Sequence, residues 1–168
     1  SGSLVLLQEL YSQKNNGAFM RSATLKGLAI ATATEAGSNP GPDYMYGWGL
    51  LNMEGAANAI LNKGNKSIIN ESSINQGTTQ TINVIASGNG PLLATICWTD
   101  PEATPIATTL ALNNTTPRLV NDLDLRVSQN STTYSPWILN PAVPSAAATT
   151  GDNVRDNAFK RADVGLAL

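Results

Sequence analysis

The chain has 168 residues, with ten Lys and Arg against twelve Asp and Glu, and its net charge of −2 argues against binding nucleic acid through a basic surface. It has no His and one Cys, Cys97, so a Ser-His-Asp triad, a His-based metal site, an internal disulfide and a Cys-rich zinc site cannot be completed within it. Charged residues make up only 13% and Thr, Asn and Ser carry the polarity, which suits a secreted, loop-rich protein, and no apolar run approaches the roughly 18 residues needed to span a bilayer.

The first third reads as helical. Leu4, Leu6, Leu7, Leu10 and Tyr11 recur at spacings of three and four, one face of a helix. The segment Lys14-Asn15-Asn16-Gly17 is a stop signal: a cation in the last turn, then residues that tolerate left-handed backbone. A second helix is expected over Phe19 to Ala33, where the small residues around Gly27 allow close packing. A loop from Glu35 to Asp43 follows, punctuated by Asn39-Pro40 and Gly41-Pro42. A third helix is expected from Asn52, a suitable N-cap, to Leu61.

Residues 65–77 are polar and Ser/Asn-rich and read as a linker. From Thr78 the apolar period shifts to two. Strands are expected over Thr78 to Ala86, Leu92 to Thr99, Ile106 to Leu112 and Leu119 to Val127, separated by turns such as Ser87-Gly88-Asn89-Gly90-Pro91 and Asp100-Pro101. Short strands at this spacing suggest a sandwich or barrel. After Ser135 the chain is Pro- and Ala-rich and shows no clear period.

Seven segments carry a resemblance. Ser1-Gly2-Ser3-Leu4-Val5-Leu6-Leu7 resembles the helix that follows the catalytic serine of subtilisin-like serine proteases, with Gly2 matching the last Gly of Gly-Thr-Ser-Met-x-x-Pro-x-Val-x-Gly. Leu25 to Ala33 is similar to the family's next helix, which ends in Thr-Ala. Tyr46-Gly47-Trp48-Gly49-Leu50-Leu51-Asn52 resembles its Tyr-Gly-x-Gly-x-x-Asn turn, and Gly55-Ala56-Ala57 falls where its final helix carries Ala-Ala. In the second half, Cys97-Trp98-Thr99-Asp100-Pro101, Leu119 to Leu125 and Thr150 to Asn157 resemble the β-sandwich that follows the catalytic domain in some secreted bacterial members. The match ends at Asn157.

The resemblance implies an α + β chain: the C-terminal helices of a subtilisin-like α/β domain (residues 1–64), a linker (65–77), and an antiparallel, jelly-roll-like β-sandwich (78–168), incomplete at both ends. It implies that the nucleophilic serine and the triad's His and Asp lie upstream of Ser1. The stretch is then catalytically inactive alone, and its protein or peptide substrate is met through that upstream part. The helices would have lost the parallel sheet they cover, leaving part of their apolar face open.

Two sets of residues are candidates for binding. Asp122 and Asp124 are two residues apart, on one face of a strand, and two adjacent carboxylates repel unless a cation sits between them. Asp100, Asn121 and Asp152 can add oxygens, and an all-oxygen set suits Ca²⁺; the resemblance implies calcium in this sandwich. The plainer reading has Asp122 capping a turn or pairing with Arg118 or Arg126 while Asp124 faces solvent. The second set is aromatic. Trp98, Tyr134 and Trp137 would be the contacts of a free-standing module that recognises carbohydrate or protein.

Overall fold

The computed structural model describes residues 1–86, 90–107, 112, 114, 116–151 and 159–164. It is α + β: three helices lead, and short antiparallel strand pairs follow.

Helix α1 spans Gly2–Lys14. It stops at the expected signal. Asn16 and Gly17 take positive φ, and the Gly17 N–H returns to the Ser12 carbonyl at 2.9 Å. Helix α2 is Ser22–Ala31, three residues later at its start than the periodicity predicts. Its shorter start has a visible cause. The Gln8 amide of α1 takes both backbone groups of Met20, accepting from its N–H at 2.9 Å and donating to its carbonyl at 2.8 Å. Arg21 is extended. A backbone already paired to a side chain has no call for helical bonds. At the other end, the Thr32 hydroxyl caps the Leu28 carbonyl at 2.8 Å, and Thr34 leaves to form a bridge with Leu50. Helix α3, Met53–Leu61, begins where expected: the Asn52 side chain accepts from the Gly55 N–H at 2.7 Å.

The helices share a core of Leu7, Tyr11, Met20, Leu28, Ala56 and Ile60, flanked by Leu4, Leu10, Leu25, Met53 and Ile69. It closes on one side only. Val5 and Leu6 on α1 are 65% and 61% exposed, and Leu50, Leu51 and Leu61 are exposed too.

The strands are β1 (Leu92–Cys97), β2 (Val127–Gln129), β3 (Thr132–Tyr134), β4 (Trp137–Ile138), β5 (Thr149–Thr150) and β6 (Phe159–Val164). They pair β1 with β6, β2 with β3 and β4 with β5, all antiparallel. β1 lies within the expected strand. The other expectations fare differently. Residues 78–86 form no strand, and Ile82, Val84 and Ile85 are exposed. Alternation alone does not make a strand, and no neighbour among the described residues takes this segment's backbone hydrogen bonds as a ladder. Of Leu119 to Val127, only Val127 is in a strand, and residues 108–111 of the Ile106 to Leu112 segment lie outside the described residues.

The strand with no sequence signal is β6. It pairs along its whole length with β1, from Leu92 opposite Val164 to Cys97 opposite Phe159. Its side chains alternate. Lys160, Ala162 and Val164 are buried on one face, and Arg161 and Asp163 lie on the other. That second face meets α2. A Cβ on Gly27 would stand 3.2 Å from Cys97 Cβ, so the absent side chain lets helix and ribbon approach. The Arg161 guanidinium donates to the Ile30 carbonyl at 3.4 Å. Part of the helical surface is therefore covered by the β1–β6 pair, and the exposed remainder lies on α1 and around α3.

Candidate functional site

The carboxylates singled out by sequence lie along the loop from Asp100 and along residues 121–124. Asp100 is fully engaged with backbone and amide: Oδ2 accepts from the Val120 N–H at 2.6 Å, and Oδ1 from the Asn121 N–H at 2.9 Å and the Asn121 side-chain amide at 3.0 Å. It fastens one loop to the other. Trp98 adds to this junction, its indole N–H donating to the Asn121 carbonyl at 3.2 Å. Asp122 and Asp124 are not in a strand, yet both reach one point. Each directs an Oδ1 at the Lys160 ammonium of β6, at 3.4 and 3.7 Å. Asp152 lies outside the described residues.

The donor chemistry can be compared with calcium's needs. Ca²⁺ takes six to eight oxygens. Among the described residues there is no group of three or more His, Cys, Asp or Glu placed to hold a metal. Asp100 spends both oxygens on N–H donors, and a buried ammonium faces the Asp122–Asp124 pair. Among the described residues, the oxygens of Asp100 and of the Asp122–Asp124 pair are thus turned to N–H donors and to an ammonium.

The aromatic candidates Trp98, Tyr134 and Trp137 are half-buried. Trp137 donates its indole N–H to Asp163 Oδ2 at 3.0 Å, and its ring lies so close to Gly41 that a Cβ there would stand 2.7 Å from it. Asp163 also holds Arg161 through both oxygens, at 2.7 and 3.0 Å, and the guanidinium sits 5.8 Å from the centre of the Trp48 ring. Trp48, Arg161, Asp163 and Trp137 thus form one continuous polar and aromatic contact between the loop before α3 and strands β4 and β6. Sequence reading missed Lys160, Arg161 and Asp163. The available signal was charge alternation in Lys160-Arg161-Ala162-Asp163-Val164, which hides an apolar strand face behind a buried lysine.

The glycine turn has a physical reason for its spacing. Gly47 and Gly49 both take positive φ. Gly49 lies against the Thr34–Leu50 bridge, where the two residues exchange backbone bonds at 2.9 and 2.8 Å, and a Cβ on Gly49 would stand 2.1 Å from the Thr34 oxygen. Asn52 then caps α3 and donates to Thr34 Oγ1 at 3.0 Å. The turn joins the end of α2 to the start of α3.

Cys97 is half-buried. Burial pushes its thiol up from the ordinary value, against the opposing pull of the Lys26 charge and the Gly27 and Trp98 N–H groups. A thiol of this kind is protonated and unreactive at neutral pH. Among the described residues no helix is long and apolar enough to cross a membrane.

No protein-family model, curated protein or solved structure matches this chain.

Proposed function

We propose that this chain is the C-terminal part of a secreted subtilisin-like serine endopeptidase. In this reading α1, α2 and α3 are the last helices of the catalytic domain, and the strand pairs belong to an antiparallel sandwich appended to it. The triad stands upstream of Ser1, where a serine activated by His attacks the peptide carbonyl and preorganised donors hold the oxyanion. The present residues act by position. α1 would hold the serine-bearing turn against the domain core, and small misplacements of such a nucleophile cost large factors in rate.

The observation that carries the proposal is the one-sided core. Val5 and Leu6 project from the helix next to the expected serine motif, and Leu50, Leu51 and Leu61 of the helical part are exposed too. Exposed apolar side chains of this kind suit a segment made to be covered. The motif turn supports the same reading, because the conformations of Gly47 and Gly49 and the capping by Asn52 give each matched residue a backbone role.

The test is the longer reading frame. Expressed with its upstream coding sequence, the protein should react with a phosphonofluoridate serine probe and cleave peptides. The label should map to a serine in Gly-Thr-Ser-Met-x-x-Pro just before Ser1. The 168-residue chain alone should take no label. An upstream sequence without that motif, or labelling of the short chain, overturns the proposal.

A further inference from the structure

The geometry points to Lys160 as the resident cation of the Asp122–Asp124 pair: a tethered ammonium fills the place between the two carboxylates, and the β region neither needs nor takes a divalent metal there. Three observations carry this. Lys160 is only 4% exposed, and a lysine that deep is stable in its charged form only when paired. Both carboxylates reach the same nitrogen, at 3.4 and 3.7 Å, from a stretch of chain that has no strand partner among the described residues. The strand period also fixes the lysine in place. Lys160 shares the buried face of β6 with Ala162 and Val164, opposite the face that Arg161 turns to α2, so its side chain cannot exchange to the other side without shifting the register with β1.

The consequence is structural and chemical. The segment 121–124 is tied to β6 by charge, with no ladder hydrogen bonds among the described residues. A divalent ion entering between Asp122 and Asp124 would meet a fixed positive charge within a few ångströms, in surroundings that screen it poorly. Asp100, the other described carboxylate of the candidate set, is engaged with N–H donors. The inference stands apart from the proposed protease reading, since it concerns only residues of this chain.

Thermal melts of the full 168-residue chain test it, in millimolar calcium chloride and in chelator. The wild-type curves should coincide. Lys160→Gln leaves two facing carboxylates without their cation, and should lower the melting temperature by roughly 4–10 °C in chelator. If that variant yields no folded protein, Asp122→Asn combined with Asp124→Asn gives the reciprocal reading, because it takes both of these carboxylates from the buried ammonium and should lower the chelator melt measurably. A calcium-dependent rise in the wild-type melting temperature that Asp122→Asn abolishes would overturn the inference. So would a Lys160→Gln chain, or the double carboxamide chain, that melts with wild type in chelator.

Discussion

Two glycines in the turn before α3 show how local stereochemistry sets a larger join. Gly47 and Gly49 both have positive φ, but their surroundings differ. Nothing lies within 4 Å of a Cβ on Gly47, whereas a Cβ on Gly49 would overlap the Thr34 carbonyl. Gly47→Ala therefore meets only the backbone penalty, about 1 kcal/mol. Gly49→Ala meets the same penalty and also breaks the bridge to Leu50 or displaces Thr34, and should cost about 2–4 kcal/mol. Denaturant melts of the two single variants check this. Equal losses would mean that the Thr34–Leu50 bridge yields freely and the turn does not hold α2 to α3.

Among the elements, the linker is more firmly placed than its composition suggests. Residues 72–80 are exposed, but Glu71 is fixed to the start of α2. Its carboxylate accepts from the Arg21 N–H at 2.8 Å and from the Thr24 hydroxyl, and pairs with the Arg21 guanidinium at 3.3 Å. Burial pushes its pKa up, but the Thr24 and Arg21 hydrogen bonds and the Arg21 and Lys63 charges outweigh this, leaving the carboxyl below its ordinary value. A carboxyl depressed in the folded state adds stability above its unfolded pKa, and that stability is lost as pH falls through the folded value. Glu71→Gln should therefore melt below wild type at neutral pH, by roughly 2–4 °C for a loss near 1 kcal/mol. The gap should narrow on the acid side of the usual Glu range. A gap that stays constant down to pH 3 would show that the charge of Glu71 plays no part.

What could be read from the sequence divides along the same physical line. The helices announced themselves because their signals are local: the Lys14 to Gly17 stop, the Asn52 cap and the small residue at Gly27 act within one turn or one close approach. β1 was legible because six consecutive residues with β-branched and apolar members seldom do anything else. β6 was not legible, since its identity depends on a partner more than sixty residues away. The strand expected over residues 78–86 failed for the converse reason, having pattern without a partner among the described residues. The carboxylate pair was legible as a demand for a cation. Which cation was not, because Lys160 reaches it only through the β1–β6 register.

For the whole molecule, the decisive quantity is the apolar surface that the helices leave open. Val5 and Leu6 lie on the face of α1 away from Leu7 and Tyr11, which are buried in the core. If that face is made to be covered, changing it should do little to this chain and a great deal to a longer one. Val5→Lys with Leu6→Lys should shift the chain's own melting temperature by no more than about 1–2 °C, because exposed positions of this kind rarely contribute beyond 0.5 kcal/mol. It should also reduce self-association, measured by light scattering across a concentration series, since two lysines interrupt the apolar patch. In the protein extended upstream, the same pair should lower yield and probe labelling sharply, because two ammonium groups would be buried without partners. The contrast between the two proteins is what tests the idea. A large loss of stability in the 168-residue chain would mean that Val5 and Leu6 already pack within it. An extended protein that tolerates both lysines would mean that nothing upstream lies against α1.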